Sequence, residues 1–277
     1  MSERAEDVLD ELDRYQLSPW RARDALKVIL EGDSPALIAR ALEHTTPLID
    51  CDEMAQRHAR LVADETLDPA IRGRAALALG PSLEHCAFGM WDEEFHAPPL
   101  SRGTFADLKA HFRTLYFDAS QPSLLRRRVL EASVRAPESW QVGAIRAAWM
   151  TDNTDWRKTA VVSMGWLDGW ESELSDALQA DDAGVVTEAI RSAERSNDVV
   201  GFGGHCVRHA LDTDAPVSMR IVAIEALPSV RGSEVAEVLN TLARDEDPRI
   251  SESACWAKEE WKIRESAPDL NDFELPE

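Results

Sequence analysis

At Ile71, Leu125, Trp156, Val185, Met219 and Ile250 the chain repeats one short pattern, a large apolar residue followed four and seven positions later by a small one. The four-on residues are Ala75, Val129, Ala160, Ala189, Ala223 and Ala254, and the seven-on residues are Ala78, Ala132, Ser163, Ser192, Ala226 and Ala257. In a helix of 3.6 residues per turn these three positions share one stripe, and small side chains on it let helix axes approach closely. The anchors stand 54, 31, 29, 34 and 31 residues apart, so a period near thirty is interrupted by one long interval. A chain written this way stacks repeated helical units rather than folding around a single central core.

Helix starts are marked independently. Ser18-Pro19, Ser34-Pro35, Asp68-Pro69 and Asp247-Pro248 each place an N-capping residue type before a proline at the first helical position. After each anchor helix comes a break and a second apolar helical stretch, as in Trp140 to Met150, Val199 to Leu211 and Val235 to Leu242. Two helices in about thirty residues make a stacked hairpin.

In size and small-residue pattern these hairpins resemble HEAT repeats, particularly the short bacterial form named for phycobilin lyases. The resemblance rests on Asp68-Pro69-Ala70-Ile71-Arg72 with Ala75 to Gly80, Trp156-Arg157 with Ala160, Met219-Arg220 with Ala223, and Asp247-Pro248-Arg249-Ile250 with Ala254. An Arg follows the anchor at 72, 126, 157 and 220, whereas Val186 and Ser251 depart from that pattern. A tetratricopeptide array would need a steady period of about 34 residues, which the intervals of 29 and 31 contradict. The resemblance implies an all-α, right-handed α-solenoid of stacked helical hairpins, a HEAT-like superhelix of the armadillo type. It divides the chain into an N-terminal helical cap (1–67), a repeat array (68–264) with an irregular acidic insertion near 81–100, and an acidic tail (265–277).

Charge narrows the partners. With 30 Lys and Arg against 51 Asp and Glu, the chain carries a formal net charge of -21, which repels a phosphate backbone over most of its surface. Nucleic acid is therefore excluded as the expected partner, and with it a HEAT-like DNA glycosylase activity. Cysteines at 51, 86, 206 and 255 are dispersed, without a disulfide or zinc spacing, which points to a reducing, cytoplasmic setting. No export signal and no span of some eighteen apolar residues stands out, so a membrane is not expected.

Catalytic signatures are absent: there is no nucleophile elbow, no phosphate-cradling loop and no dinucleotide fingerprint. Gly201-Phe202-Gly203-Gly204 follows no strand and reads as a close-packing segment. His205 and His209, at i and i+4, are weak metal candidates, since no third ligand is evident and Arg208 shares their face. His85, Cys86, Glu93, Glu94 and His96 supply ligand types in a spacing that matches no metal motif. No cofactor is expected, and a chromophore-handling role like that of the phycobilin lyases stands only as an alternative, because repeats do not transfer activity.

The main local feature is a reversal of sign. Between Gln121 and Ala160 seven cations (Arg126, Arg127, Arg128, Arg135, Arg146, Arg157 and Lys158) face four acids, and Trp140, Trp149 and Trp156 lie in the same window. Arg and Trp are enriched at binding hot spots. The anchor register assigns Trp156 to the core and Trp149 to a buried stripe with Val142 and Ile145, and it makes the arginines after anchors a ladder to acids of adjacent repeats. Trp140, Arg146 and Arg127 remain as candidates for contact with a partner protein through an acidic peptide or surface. The expectation is a non-catalytic scaffold or adaptor; the oligomeric state is not read from the sequence.

Overall fold

The computed structural model describes residues 2–89, 98–196, 199–230 and 233–266. Among them are fifteen α-helices, two single turns of 3-10 helix and no strand. The helices are α1 (Ser2–Asp13), α2 (Pro19–Leu30), α3 (Pro35–Thr45), α4 (Asp52–Ala63), α5 (Pro69–Phe88), α6 (Arg102–Phe117), α7 (Ser123–Ser133) and α8 (Ser139–Trp149). They continue as α9 (Thr154–Met164), α10 (Glu171–Ala177), α11 (Ala183–Ser196), α12 (Phe202–Leu211), α13 (Val217–Ala226), α14 (Ser233–Leu242) and α15 (Pro248–Ser266). None of the described helices is long and apolar enough to cross a membrane.

The chain divides into two compact units, 1–144 and 145–277. In the first, α3, α5 and α7 pack in succession, with α2 against α3, α4 against α5 and α6 against α7. In the second, α9, α11, α13 and α15 pack in succession, with α10, α12 and α14 each against the anchor helix that follows. Each unit is thus an all-α, HEAT-like stack of helical hairpins. The six anchors sit near the starts of α5, α7, α9, α11, α13 and α15, and all twelve small positions are buried. Five anchors are buried as well, whereas Trp156, expected in the core, is only half-buried.

Second helices also pack against the anchor helix after them, as α4 does on α5, α6 on α7, α12 on α13 and α14 on α15. The turns between them recur: the backbone N–H groups of Thr66, Ser120, Asp214 and Asp247 donate to the carboxylates of Asp64, Asp118, Asp212 and Asp245 at 2.9, 2.9, 3.0 and 2.9 Å. Such Asx turns mimic a backbone turn and hold the reversal in place. The post-anchor arginines then close the hairpin. Nε of Arg72 donates to the Val62 carbonyl (2.8 Å), that of Arg126 to Tyr116 (2.7 Å) and that of Arg220 to Ala210 (3.1 Å), each reaching a residue ten positions upstream. These carbonyls end the preceding helix and have no intrahelical partner, so a cation is favoured there.

The expected ladder to acids is seen at Arg220, whereas Arg72 and Arg157 take other partners. Arg72 reaches the Gln121 amide (2.8 Å) and Arg220 reaches Asp245 (2.8 Å), while Arg157 stacks over the Trp149 ring at 4.7 Å.

Helices start at all four expected prolines. A side-chain bond forms at Asp68 (to the Ala70 N–H, 2.7 Å) and Asp247 (to the Arg249 N–H, 2.9 Å), but not at Ser18 or Ser34. Proline at the first position has no N–H to offer, and the longer carboxylate reaches the next donor.

The insertion expected from residue 81 begins later. α5 runs through Pro81 to Phe88, although a helix-interior proline costs roughly 3 kcal/mol. Burial of Leu83 and Cys86 offsets this, and Ser82 Oγ donates to the Ile49 carbonyl at 2.6 Å. The rest of that acidic loop, with Glu93, Glu94 and His96, lies outside the described residues, as does most of the expected tail.

Candidate binding face

The helix α8 is capped at its N-terminus by the Gln141 side chain. The Glu138 N–H donates to Gln141 Oε1 at 2.8 Å, and buried Gln141 donates from Nε2 to the Ser133 carbonyl at 2.8 Å. A side chain three residues on that satisfies the N-cap N–H is one half of the capping-box arrangement. It fixes the direction in which Trp140, one residue before Gln141, leaves the helix.

Trp140 is half-buried and meets the C-terminal end of α6. Its ring centroid lies 5.2 Å from that of Tyr116 and 5.5 Å from that of Phe117, and the latter two are 5.1 Å apart, edge to face. Aromatic pairs at such separations add about 0.5–1.5 kcal/mol beyond the area they bury. Tyr116 is buried beneath the group, and its hydroxyl is pushed up by burial, which outweighs the lowering by Arg126, whose guanidinium lies 5.6 Å from the ring. Phe117 remains 56% exposed. The result is an aromatic platform with a buried base and an open top.

Its polar edge is satisfied. Trp140 Nε1 donates to Glu138 Oε2 at 2.9 Å, and the other oxygen of the same carboxylate faces Lys109 Nζ at 3.4 Å. The platform therefore exposes apolar ring surface without an orphaned indole N–H, an arrangement suited to reversible contact.

The other two sequence candidates fall elsewhere. Arg127 is half-buried on α7, between Arg126, bound to the Tyr116 carbonyl, and Arg128, bound to Glu131 at 2.6 Å. Arg146 belongs to the second unit, where it is exposed with its guanidinium 5.7 Å from the Trp170 ring. Val142, expected on a buried stripe, is 42% exposed, and Trp149 is half-buried beneath Arg157. Phe117 and Tyr116 are not marked by the repeat, because α6 carries no anchor pattern.

The histidine pair does not form a ligand set. His209 Nε2 lies 2.9 Å from the Leu178 carbonyl, which can only accept, so that nitrogen carries the proton and has no lone pair for a metal. Arg208 donates to His205 Nδ1 at 2.8 Å. Burial, then Arg208 and His209, lower the His205 pKa. Among the described residues no group of three or more His, Cys, Asp or Glu side chains is placed to hold a metal ion. All four cysteines are free thiols, and burial pushes that of Cys206 up to about 12, where it is inert as a nucleophile.

No family model and no curated protein matches the chain. Fourteen chains among solved structures do. One is the crystal structure of an engineered protein, 16% identical, with a TM-score of 0.41 over 75% of this chain and 97% of that one. Another is human deoxyhypusine hydroxylase in complex with glycerol, 15% identical, with a TM-score of 0.40 over 95% of this chain and 98% of that one. Likenesses at this level carry no argument about activity.

Proposed function

We propose that the chain is a non-catalytic scaffold or adaptor that binds another protein through the aromatic platform of Phe117 and Trp140. The observation that carries this reading is the open Phe117 ring resting on half-buried Trp140 and buried Tyr116. Large aromatic surface of this kind, pre-positioned by packing and ringed by charges, is where contact energy concentrates in protein interfaces. A helical array supplies the rigid support, and the Glu138 and Gln141 contacts hold the Trp140 rotamer ready before a partner arrives.

Affinity capture under mild cross-linking, followed by Trp140→Ala, tests the reading. A partner held by the native protein should be released by the substitution while the far-ultraviolet circular dichroism is unchanged. Full retention by the variant would remove this face from consideration. Arg146→Glu, in the other unit, serves as the companion substitution: release by it alone would shift the binding site to the second unit.

A further inference from the structure

The surface of α6 continues the platform. Phe105, Lys109, Arg113 and Phe117 follow one another at intervals of four residues and so form one ridge of the helix, aromatic at both ends and basic in the middle. Phe105 is half-buried with Lys109 Nζ 5.0 Å from its ring, and Lys109 shares the Glu138 carboxylate with Trp140. Arg113 is exposed and has no ion-pair partner among the described residues. In a chain of net charge -21, a ridge where Lys109 and Arg113 meet a single acid, Glu138, among the described residues is a local inversion of sign.

The spacing of the ridge sets the form of its ligand. Four helical residues advance about 6 Å along the axis. Two residues of an extended strand advance about 6.6 Å. An extended peptide lying along α6 therefore brings every second side chain onto successive ridge positions over the whole length from Phe105 to Phe117. A helical ligand would present one face to two or three of them.

We infer that α6 is the docking ridge for an extended acidic peptide of the partner, with apolar residues at both ends of the motif and a carboxylate at each of the two alternate positions between them. The apolar ends pack on Phe105 and on the Phe117–Trp140 platform, and the carboxylates meet Lys109 and Arg113. Arg113, with no acidic partner among the described residues, provides the stronger of the two charge contacts, since its planar fork donates to a carboxylate in bidentate fashion. This deepens the scaffold reading and rests on the same face.

The test is fluorescence anisotropy with a labelled synthetic peptide that has leucine at each end, two glutamates between, and single serines separating the four. The full chain should bind one peptide saturably, with affinity falling as salt screens the charges. Arg113→Glu should weaken binding by about tenfold or more, as should glutamine in place of the glutamates. A peptide of identical composition with the two glutamates adjacent should lose affinity comparably, because the alternation is broken.

Equal binding of the shuffled peptide, or native affinity in Arg113→Glu, overturns the inference. Arg113 is exposed, so its replacement leaves the fold intact, which circular dichroism verifies. Partner capture that depends on Trp140 without any peptide binding would uphold the scaffold reading and refute this one.

Discussion

Arg220 joins two successive hairpins through Asp245: its side chain, almost wholly buried, donates to that carboxylate at 2.8 Å while its Nε caps the Ala210 carbonyl. The carboxylate is itself held below the usual range by the Asp247 N–H, then by Arg220. One guanidinium thus ends a helix, closes its own hairpin and locks the turn of the next.

Arg220→Ala should therefore destabilise the second unit by about 3 kcal/mol, because it leaves the Ala210 carbonyl without its donor and the Asp245 carboxylate without its cation. Arg157→Ala removes a stacking contact over Trp149 and no carbonyl cap, and should cost about 1 kcal/mol. Urea midpoints of the two variants provide the comparison. Equal losses would deny the capping role of the post-anchor arginine.

Close approach of neighbouring anchor helices sets a second expectation. A Cβ on Gly165 would stand 2.7 Å from Cβ and 2.8 Å from Cα of Ser192, and the backbone there cannot yield cheaply. On Gly80 the Cβ would meet Cδ of Arg135 at 2.7 Å, part of a flexible side chain. Gly165→Ala should cost about 1–3 kcal/mol as overpacking, and Gly80→Ala clearly less. Thermal midpoints of the pair would show whether the difference has this sign.

The first unit should lose stability in mild acid through His58. This residue is buried, and because Nδ1 faces the Met54 carbonyl at 2.8 Å, that nitrogen carries the proton while Nε2 accepts from the Thr45 hydroxyl at 2.9 Å. Burial lowers its pKa from 6.5 to about 4, outweighing the raising effect of Met54. The unfolded chain then binds the proton first. The neutral form's contribution is complete above pH 6.5, declines as the pH falls, and is gone below about 4, a loss of about 3 kcal/mol. His111, also lowered by burial and next by Arg72, acts in the same direction. Replacing His58 with a non-titrating residue should flatten the slope of the urea midpoint against pH in that window; an unchanged slope would refute the assignment.

How much of this the sequence disclosed follows from what repeats and what does not. The stripe of Ala75, Ala78 and their equivalents was legible because every unit obeys the same packing geometry. Pro81 misled, since the rule that proline ends a helix is local, and the burial of Leu83 and Cys86 that overrides it is tertiary. The arginine caps were visible as a recurring residue type, but their acceptors are backbone carbonyls, which no side-chain pattern reveals. Trp140 was found by its type and by elimination. Phe117 required the approach of α6 to α8, a contact between residues more than twenty positions apart.

The central claim, that the Phe117–Trp140 platform is where a partner docks, is tested most directly by site-specific photo-cross-linking. A photoreactive phenylalanine analogue replaces Phe117 in one sample and exposed Tyr15 in another, with the full chain returned to its native cellular setting. A discrete adduct from the Phe117 position, lost when Trp140→Ala is added and missing from the Tyr15 control, is the predicted result. No adduct above that control, or one indifferent to Trp140, would contradict it.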